Sequence, residues 1–224
     1  MRKQLKLHLV SLFFAWSLTP RRALSQTNDL EAQMDLVVKL RIHRTAQGTE
    51  ETAAGFFVGK DQQSAYFVTA CHAVTQKDKD GNLSRVASVD LEFRNSPAAF
   101  RASVFERYDG DDLDLAVVQI PVANLPSGLT VVQRKDAARS VTVRVIGHPA
   151  TSPWSVTPAS VQEVSTPDGN FHRFTTAREN SLVEGYSGGP VFASEGLLIS
   201  MHTGGGPGYG VEAKSADIAG QLMA

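Results

Sequence analysis

The sequence predicts an all-β protein, either a sandwich or a barrel. Short runs of β-branched and aromatic residues recur along the chain, and Gly, Pro, Asn and Asp separate them. Only two segments carry a helical pattern, at residues 28–34 and 215–223. With 42% hydrophobic and 20% charged residues, the chain of 224 residues has the composition of a globular protein. It is long enough for one domain of ordinary size or for two small packed halves.

The predicted strands form two groups on either side of residues 121–138, a turn-rich stretch that we interpret as a crossover between two β halves. Apolar residues alternate in the second half of the first strand, and Gly59-Lys60-Asp61 predicts a turn between the second and third strands. The first group is predicted at 36–42, 53–58, 65–70, 86–93, 100–105 and 115–121. The second group is predicted at 141–146, 155–164, 171–176, 190–192, 197–201 and 209–213.

The first 25 residues have the pattern of a cleaved export signal. Basic residues at positions 2, 3 and 6 precede an apolar run over 7–18, and small residues occupy positions 23 and 25, which a signal peptidase reads. The apolar run is shorter than the ~20 residues of a membrane-spanning helix. We predict a signal peptide over 1–25, a mature domain over 26–224, export to the periplasm or the medium, and no stable membrane insertion after the signal is removed. An uncleaved N-terminal anchor is the alternative.

The net charge argues against two classes of partner, and the cysteine content excludes stabilisation by an internal disulfide. Residues 1–25 contain five basic residues and no acidic one, so their removal changes the formal net charge from -1 to about -6. This acidic balance argues against nucleic acid and anionic membranes as partners. Cys71 is the single cysteine, so the chain has no internal disulfide and its stability must come from an apolar core.

The segment Gly185-Tyr186-Ser187-Gly188-Gly189-Pro190 is the most informative motif. A serine flanked by glycines on a tight turn can present a hydroxyl and backbone N–H groups to one point, because glycine has no Cβ to clash. A nucleophile beside N–H donors is what acyl transfer requires. The string alone is a weak signal, since turns rich in Gly and Ser are common.

Two upstream residues complete a possible catalytic set. His72 follows an apolar strand, and Asp114 opens the buried run Leu115–Ile120. A carboxylate at the mouth of a buried strand needs a partner, and a histidine N–H is a suitable one. That pairing would leave the other imidazole nitrogen free to take a proton from Ser187. Each residue also has a structural explanation: a core histidine, a loop cap and a turn serine.

The segments 69–74, 114–117 and 185–191 resemble the three motif blocks of trypsin-like (chymotrypsin-fold) serine peptidases. They are most similar to the disulfide-free bacterial branch, which includes the HtrA peptidase domain and the glutamyl endopeptidases. The resemblance implies two packed six-stranded antiparallel β-barrels and a short C-terminal helix. The first barrel would cover about 35–122, the second about 138–214, and the helix 215–223.

The resemblance also implies an activity: a serine endopeptidase, a hydrolase that cleaves polypeptides through an acyl-enzyme intermediate without metal or cofactor. Ser187 would attack the scissile carbonyl, His72 would carry the proton, and Asp114 would orient the imidazole. The N–H groups of Gly185 and Ser187 would form the oxyanion hole. The oligomeric state does not follow from the sequence.

Two residues depart from the family pattern. Tyr186 stands where the family usually has Asp or Asn, and in the animal digestive enzymes an Asp there pairs with a newly freed N-terminus. A tyrosine cannot form that ion pair, so activation of that kind is not expected. Cys71 replaces a small residue beside the histidine, and we expect a small buried side chain rather than a reactive thiol.

The resemblance places a substrate pocket beside the nucleophile. Its predicted residues are Ser181, Leu182, His202, Thr203, Gly204 and Gly205. In glutamyl endopeptidases the matching strand carries a histidine that binds a substrate carboxylate, and His202 falls at that place. Leu182 stands where those enzymes have a hydroxyl residue, with Ser181 one step away. The alternative is that His202 bonds a backbone carbonyl.

Other interpretations fit less well. An α/β-hydrolase needs an acid and then a histidine after the serine, whereas here His202 precedes Asp217. The acidic segments 78–82 and 109–112 do not match a calcium loop, and the first is better explained as a hairpin turn. The histidines have no metal-ligand spacing. The main alternative to an enzyme is a catalytically inactive binding module with the same fold, motivated by Tyr186.

Overall fold

A computed structural model of the chain describes residues 26–44, 48, 50–77, 80, 83–86, 88–108, 114–133, 136, 138–163, 171–176, 182–205 and 212–216. The predicted signal peptide over 1–25 lies outside these residues. Within them, no helix is long and apolar enough to cross a membrane.

The first barrel is closed by six antiparallel strands in the order β1-β2-β3-β8-β7-β6. Pairing of β1 with β6, which sets Val38 opposite Phe93, joins the two ends of the sheet. The two remaining strands of this half form a separate antiparallel hairpin, β4 with β5, on either side of the acidic segment predicted to turn. The eight strands are β1 (Val37–His43), β2 (Glu50–Lys60), β3 (Ser64–Ala70), β4 (Thr75–Lys77), β5 (Leu83–Arg85), β6 (Ser88–Phe93), β7 (Ala99–Tyr108) and β8 (Leu115–Pro121).

The second barrel is also closed, in the strand order β10-β11-β14-β13-β12-β9. Pairing of β9 with β10, which sets Ile146 opposite Val156, completes it. Its strands are β9 (Thr142–Gly147), β10 (Ser155–Glu163), β11 (Phe171–Thr176), β12 (Pro190–Ala193), β13 (Leu198–Gly205) and β14 (Glu212–Ala216). A 3₁₀ turn at Val122–Asn124 begins the connection between the barrels.

The described residues include two α-helices beside the strands. Helix α1 (Gln26–Asp35) precedes the first barrel and lies within a residue or two of its predicted place. Helix α2 (Cys71–Val74) is a single turn that directly follows β3. On α1, Gln33 is buried, and a Cβ added at Gly196, between β12 and β13, would lie 3.3 Å from its Nε2. Helix α1 therefore contacts the second barrel as well as leading into the first.

The apolar side chains of the described ranges form three clusters, and the alternation of strand side chains explains their separation. In β2, Phe57 points into the first barrel while its neighbour Phe56 belongs to a cluster shared by both barrels. Ile146, Phe192 and Met201 supply the second barrel's part of this shared cluster. A third cluster, which includes Phe174, fills the second barrel. The shared cluster is fully buried at these positions, so it fixes the two barrels against each other.

The sequence prediction of two packed six-stranded barrels is confirmed. The predicted start of the C-terminal helix is wrong, because Ser215 and Ala216 belong to β14. In the structure β14 pairs on one side with β11 and on the other with β13, and this double pairing outweighs the local helix signal of Ser215 and Asp217. The rest of that predicted helix, 217–223, lies outside the described residues.

Candidate active site

His72 lies at the point where a buried strand gives way to a short helix. Strand β3 ends at Ala70, and the one-turn helix α2 then projects the imidazole outward while Cys71 and Ala73 on either side are buried. The imidazole is 50% exposed, so a substrate can reach it. Cys71 is buried and forms no disulfide in the described part of the chain, and its burial agrees with the sequence prediction.

Asp114 is fixed against this helix by three contacts. Its backbone carbonyl accepts the N–H of Cys71 at 3.0 Å, and its Oδ1 accepts the backbone N–H of His72 at 2.8 Å. Its Oδ2 lies 2.6 Å from the Nδ1 of His72. Asp114 adopts a φ of 46°, a left-handed backbone conformation that is uncommon outside glycine. Such conformations persist where surrounding contacts over-determine them, which is the case here.

Ser187 comes from the second barrel and completes the contact. Its Oγ lies 2.9 Å from the Nε2 of His72, and its carbonyl accepts the N–H of Ala54 on β2 at 2.8 Å. A carboxylate only accepts hydrogen bonds, so the Nδ1 of His72 carries the hydrogen and donates it to Asp114. The Nε2 is then the acceptor for the Ser187 hydroxyl. The structure therefore brings together the three residues predicted as catalytic, across the boundary between the barrels.

Glycines are required on both sides of Ser187. Gly185 has a φ of 100°, and a Cβ there would lie 2.3 Å from the carbonyl oxygen of His148. Gly188 has a φ of 81°, and a Cβ there would lie 2.2 Å from the carbonyl oxygen of Ala54. Any side chain at either position would force the turn away from β2 or β9.

The two predicted oxyanion donors are not used elsewhere in the described part of the chain. Among those residues, the N–H groups of Gly185 and Ser187 have no backbone acceptor, although the neighbouring N–H groups of Tyr186 and Gly188 donate to Val183 and His202. The Gly185 carbonyl instead accepts the N–H of His148 at 2.8 Å. These two N–H groups beside the nucleophile, without a backbone partner in the described ranges, can donate to a negatively charged oxygen.

The residues predicted to form the substrate pocket differ in burial and in the atoms that they contact. His202 on β13 is only 2% exposed, and its Nδ1 has no partner among the described residues. Burial lowers the pKa of His202 to about 4, with a smaller contribution in the same direction from His72. The imidazole is therefore neutral near pH 7. The alternative, that His202 bonds a backbone carbonyl, is not met at its Nδ1 by any described residue.

The rest of the predicted pocket is only partly described. Thr203 is buried on β13, and Gly204 faces open space, since a Cβ there would meet no atom within 4 Å. Gly205 ends β13. Leu182 is half-buried and packs against the core of the second barrel rather than standing free at the site. Ser181 lies outside the described residues.

His148 is a site-supporting residue that the sequence reasoning missed. Its side chain is fully buried, and its Nδ1 accepts the backbone N–H of Trp154 at 3.0 Å. The Trp154 ring packs edge-on against the imidazole, with 4.8 Å between the ring centroids. The backbone N–H and carbonyl of His148 both contact Gly185. Burial lowers the pKa of His148 to about 3. In the sequence it was one of several scattered histidines, and only its nearness to Gly185 in space reveals its role.

No group of His, Cys, Asp and Glu side chains suited to a metal ion occurs among the residues that the structure describes. The chemistry available at the site is that of an imidazole, a carboxylate, a hydroxyl and backbone N–H donors.

A family model described as the trypsin-like peptidase domain matches residues 53–201, well over half of the chain. This range holds His72, Asp114 and Ser187. No curated protein matches the chain by sequence.

Solved structures share the fold at low sequence identity. The HtrA-type protease AlgW, solved with a tripeptide, is 15% identical with a TM-score of 0.68 over 89% of this chain and 62% of AlgW. A serine endoprotease from Yersinia pestis is 18% identical with a TM-score of 0.67, covering 89% of this chain and 65% of its own. The active form of the Rv3671c protease from M. tuberculosis is 20% identical with a TM-score of 0.67, covering 87% and 82%. The chain thus spans less than two thirds of the first two proteins.

Proposed function

Because the chain belongs to the trypsin-like peptidase domain family, we propose that it is an exported serine endopeptidase that cleaves polypeptides with Ser187 as nucleophile. The observation that carries this proposal is the continuous contact from Asp114 Oδ2 through His72 to Ser187 Oγ, with separations of 2.6 Å and 2.9 Å. The basic and apolar pattern of residues 1–25 supports export.

The contacts support a two-step mechanism. Ser187 Oγ attacks the scissile carbonyl as its proton passes to the Nε2 of His72, and the carbonyl carbon becomes tetrahedral. The N–H groups of Gly185 and Ser187 stabilise the oxyanion, and His72 then gives its proton to the leaving amine. Water, deprotonated by His72, then attacks the acyl carbon, and His72 returns that proton to Ser187 Oγ as the acid product leaves. Asp114 holds the imidazole in the tautomer that both steps need.

Hydrolysis of an unstructured protein substrate by the chain beginning at Gln26 tests the proposal. Ser187→Ala should lower kcat by a factor of about 10⁶, since the nucleophile is lost, and Asp114→Asn by about 10⁴, since the imidazole tautomer is wrong. Ser194→Ala removes an exposed serine hydroxyl from the nearby turn and is the matched control, with wild-type kcat expected. A well-folded wild-type protein without hydrolytic activity would instead support the binding module.

We also propose that His202 contributes to selection of an acidic substrate residue. It is buried within electrostatic reach of His72 and Asp114, and its Nδ1 is unpartnered in the described region. The open space beside Gly204 leaves room for a substrate backbone to lie against β13. A carboxylate in this pocket would stabilise the imidazolium form of His202, which burial alone disfavours.

This specificity predicts a particular pH dependence. Binding of a Glu side chain would draw a proton onto His202, so kcat/KM for a Glu peptide relative to its Gln counterpart should rise as the pH falls below the pKa of His202 in the complex, toward its free value of about 4. The Gln peptide cancels the titration of His72, because both substrates depend on it equally. His202→Asn should remove both the Glu preference and its pH dependence. A cleavage profile dominated by Val or Ala would show the pocket to be apolar and end this proposal.

A further inference from the structure

Tyr186, the residue next to the nucleophile, is built into the core of the second barrel. Its side chain is 3% exposed and belongs to the same apolar cluster as Phe174 and Val191. Its hydroxyl lies 2.8 Å from the Oγ1 of Thr157, a buried residue on β10. A buried hydroxyl is costly without a partner, so this hydrogen bond specifies one position for the ring.

The ring is also fitted against the backbone of β9. A Cβ at Gly147 would lie 2.4 Å from the Cδ1 of Tyr186, so the ring packs directly on the Gly147 backbone. The next residue, His148, donates its N–H to the carbonyl of Gly185. The turn that carries Ser187 is therefore tied to β9 on one side and, through Tyr186, to β10.

These contacts bear on the reaction because Tyr186 stands between the two oxyanion donors. Its own backbone is occupied, since its N–H donates to Val183 and its carbonyl accepts the N–H of Gly189. A shift of the ring would move Gly185 and Ser187 together, and catalytic groups tolerate displacements of only about 1 Å before rates fall steeply. Neither the ring nor its hydroxyl contacts the His72–Asp114 pair in the described contacts, so the effect would be on the donors and nucleophile.

We infer that Tyr186 is a positioning residue: through its hydrogen bond to Thr157 it holds the turn that carries Gly185 and Ser187 in the geometry that binds an oxyanion. The core of the second barrel thereby shapes this part of the site. This rests on the proposed peptidase function. An interaction made inside the barrel holds the turn whether or not a substrate is present, which is the preorganisation that electrostatic stabilisation of an oxyanion requires.

Kinetics of Tyr186→Phe and Thr157→Val test the inference, with rates per site counted by titration with an irreversible inhibitor. Each variant keeps the packing but removes one side of the hydrogen bond. Each should lower kcat about tenfold with KM unchanged, because the donors are displaced rather than removed. Removal of one oxyanion-hole donor typically lowers kcat by about 10²–10³-fold. The double variant should lose less than the product of the two single losses, because both single variants remove the same bond. Thr157→Ser retains the hydroxyl and should lose less than Thr157→Val.

Tyr66→Phe is the matched control. It also removes a tyrosine hydroxyl that donates a hydrogen bond, to Asp61 at 2.6 Å, but on the first barrel and away from the turn. It should keep the wild-type kcat. A merely structural role for Tyr186 would lower the melting temperature of Tyr186→Phe and leave kcat per titrated site intact, and this result would overturn the inference.

A second measurement does not depend on activity. In a Ser187→Ala background, amide hydrogen exchange of a peptide spanning 182–189 should be faster with Tyr186→Phe than with Tyr186, and unchanged with Tyr66→Phe. Equal exchange in all three proteins would contradict the inference. If the wild-type enzyme hydrolyses nothing, the proposed function fails, while the exchange data still decide whether Tyr186 holds the turn.

Discussion

His148 shows how one buried side chain links the stability of the protein to pH. In the folded chain burial lowers its pKa to about 3 from the ordinary value of 6.5. Between these values the unfolded chain binds a proton that the folded chain does not. The free energy of unfolding therefore decreases as the pH falls from about 6.5 toward about 3, and the stabilisation is complete only above the unfolded pKa.

Urea unfolding between pH 7 and 5 checks this assignment in His148→Asn. The asparagine side-chain oxygen can accept the same backbone N–H of Trp154 that the Nδ1 of His148 accepts, but the asparagine side chain does not titrate. The variant will be less stable at every pH because its side chain is smaller. Its unfolding free energy should depend less on pH, by about one bound proton at most. Parallel curves for wild type and variant would show that His148 is not one of the groups that link stability to pH.

At the same scale, the sequence predicted the residues with chemistry better than the residues that support them. His72, Asp114 and Ser187 were identifiable because each stands where a strand ends or a glycine turn begins. Tyr186 was recognisable only as a departure from a pattern. Its hydrogen-bond partner Thr157 lies 29 positions earlier, and no local signal connects the two residues. The role of His148 depends likewise on a contact with Gly185 that only the folded chain creates.

Helix α1 is the element whose contribution is least expected from its sequence. Its sequence is only weakly amphipathic. Gln33 is nonetheless only 3% exposed, and neither polar atom of its side chain has a partner among the described residues. Its Nε2 faces Gly196 in the second barrel. A buried amide without partners is unfavourable, so the placement of Gln33 against Gly196 costs free energy.

Gln33→Met should therefore stabilise the protein by about 1–3 kcal/mol, because it keeps the length of the side chain and removes the unpaired polar groups. Chemical denaturation at pH 7 measures the change. Gln63→Met, an exposed position before β3, is the control and should change the free energy of unfolding by no more than about 0.5 kcal/mol. Destabilisation by Gln33→Met would mean that the amide has partners beyond those described.

Element prediction succeeded for strands whose ends are marked in the sequence by polar or proline residues. Strands β8 and β11 have the bounds that the sequence predicted, since their ends coincide with polar or proline residues. The bounds of β14 differ from the prediction, because the sequence has a helix-capping signal at Ser215 that pairing with two neighbouring strands overrides. Such long-range pairing is invisible to local propensity, which is why the last strand was predicted too early and a helix in its place.

For the whole molecule, the important consequence of the fold is that the reacting groups come from different barrels. His72 and Asp114 belong to the first, Ser187 to the second, and a buried cluster that includes Phe56 and Phe192 joins the two. The twelve barrel strands and their division into two groups could be predicted from the spacing of apolar runs, whereas strands β4 and β5 of the separate hairpin were not predicted. The closure of each barrel and the face on which they meet required the resemblance to a family, because they depend on pairings between strands far apart in sequence.

Reaction with a fluorophosphonate, followed by peptide mass mapping, tests the central claim most directly, because only an activated serine beside an oxyanion site reacts rapidly with such a probe. We predict one adduct per molecule, located on Ser187, and formed much more slowly in His72→Ala. A folded protein that forms no adduct, or an adduct on another serine, would contradict the assignment of Ser187 as the nucleophile.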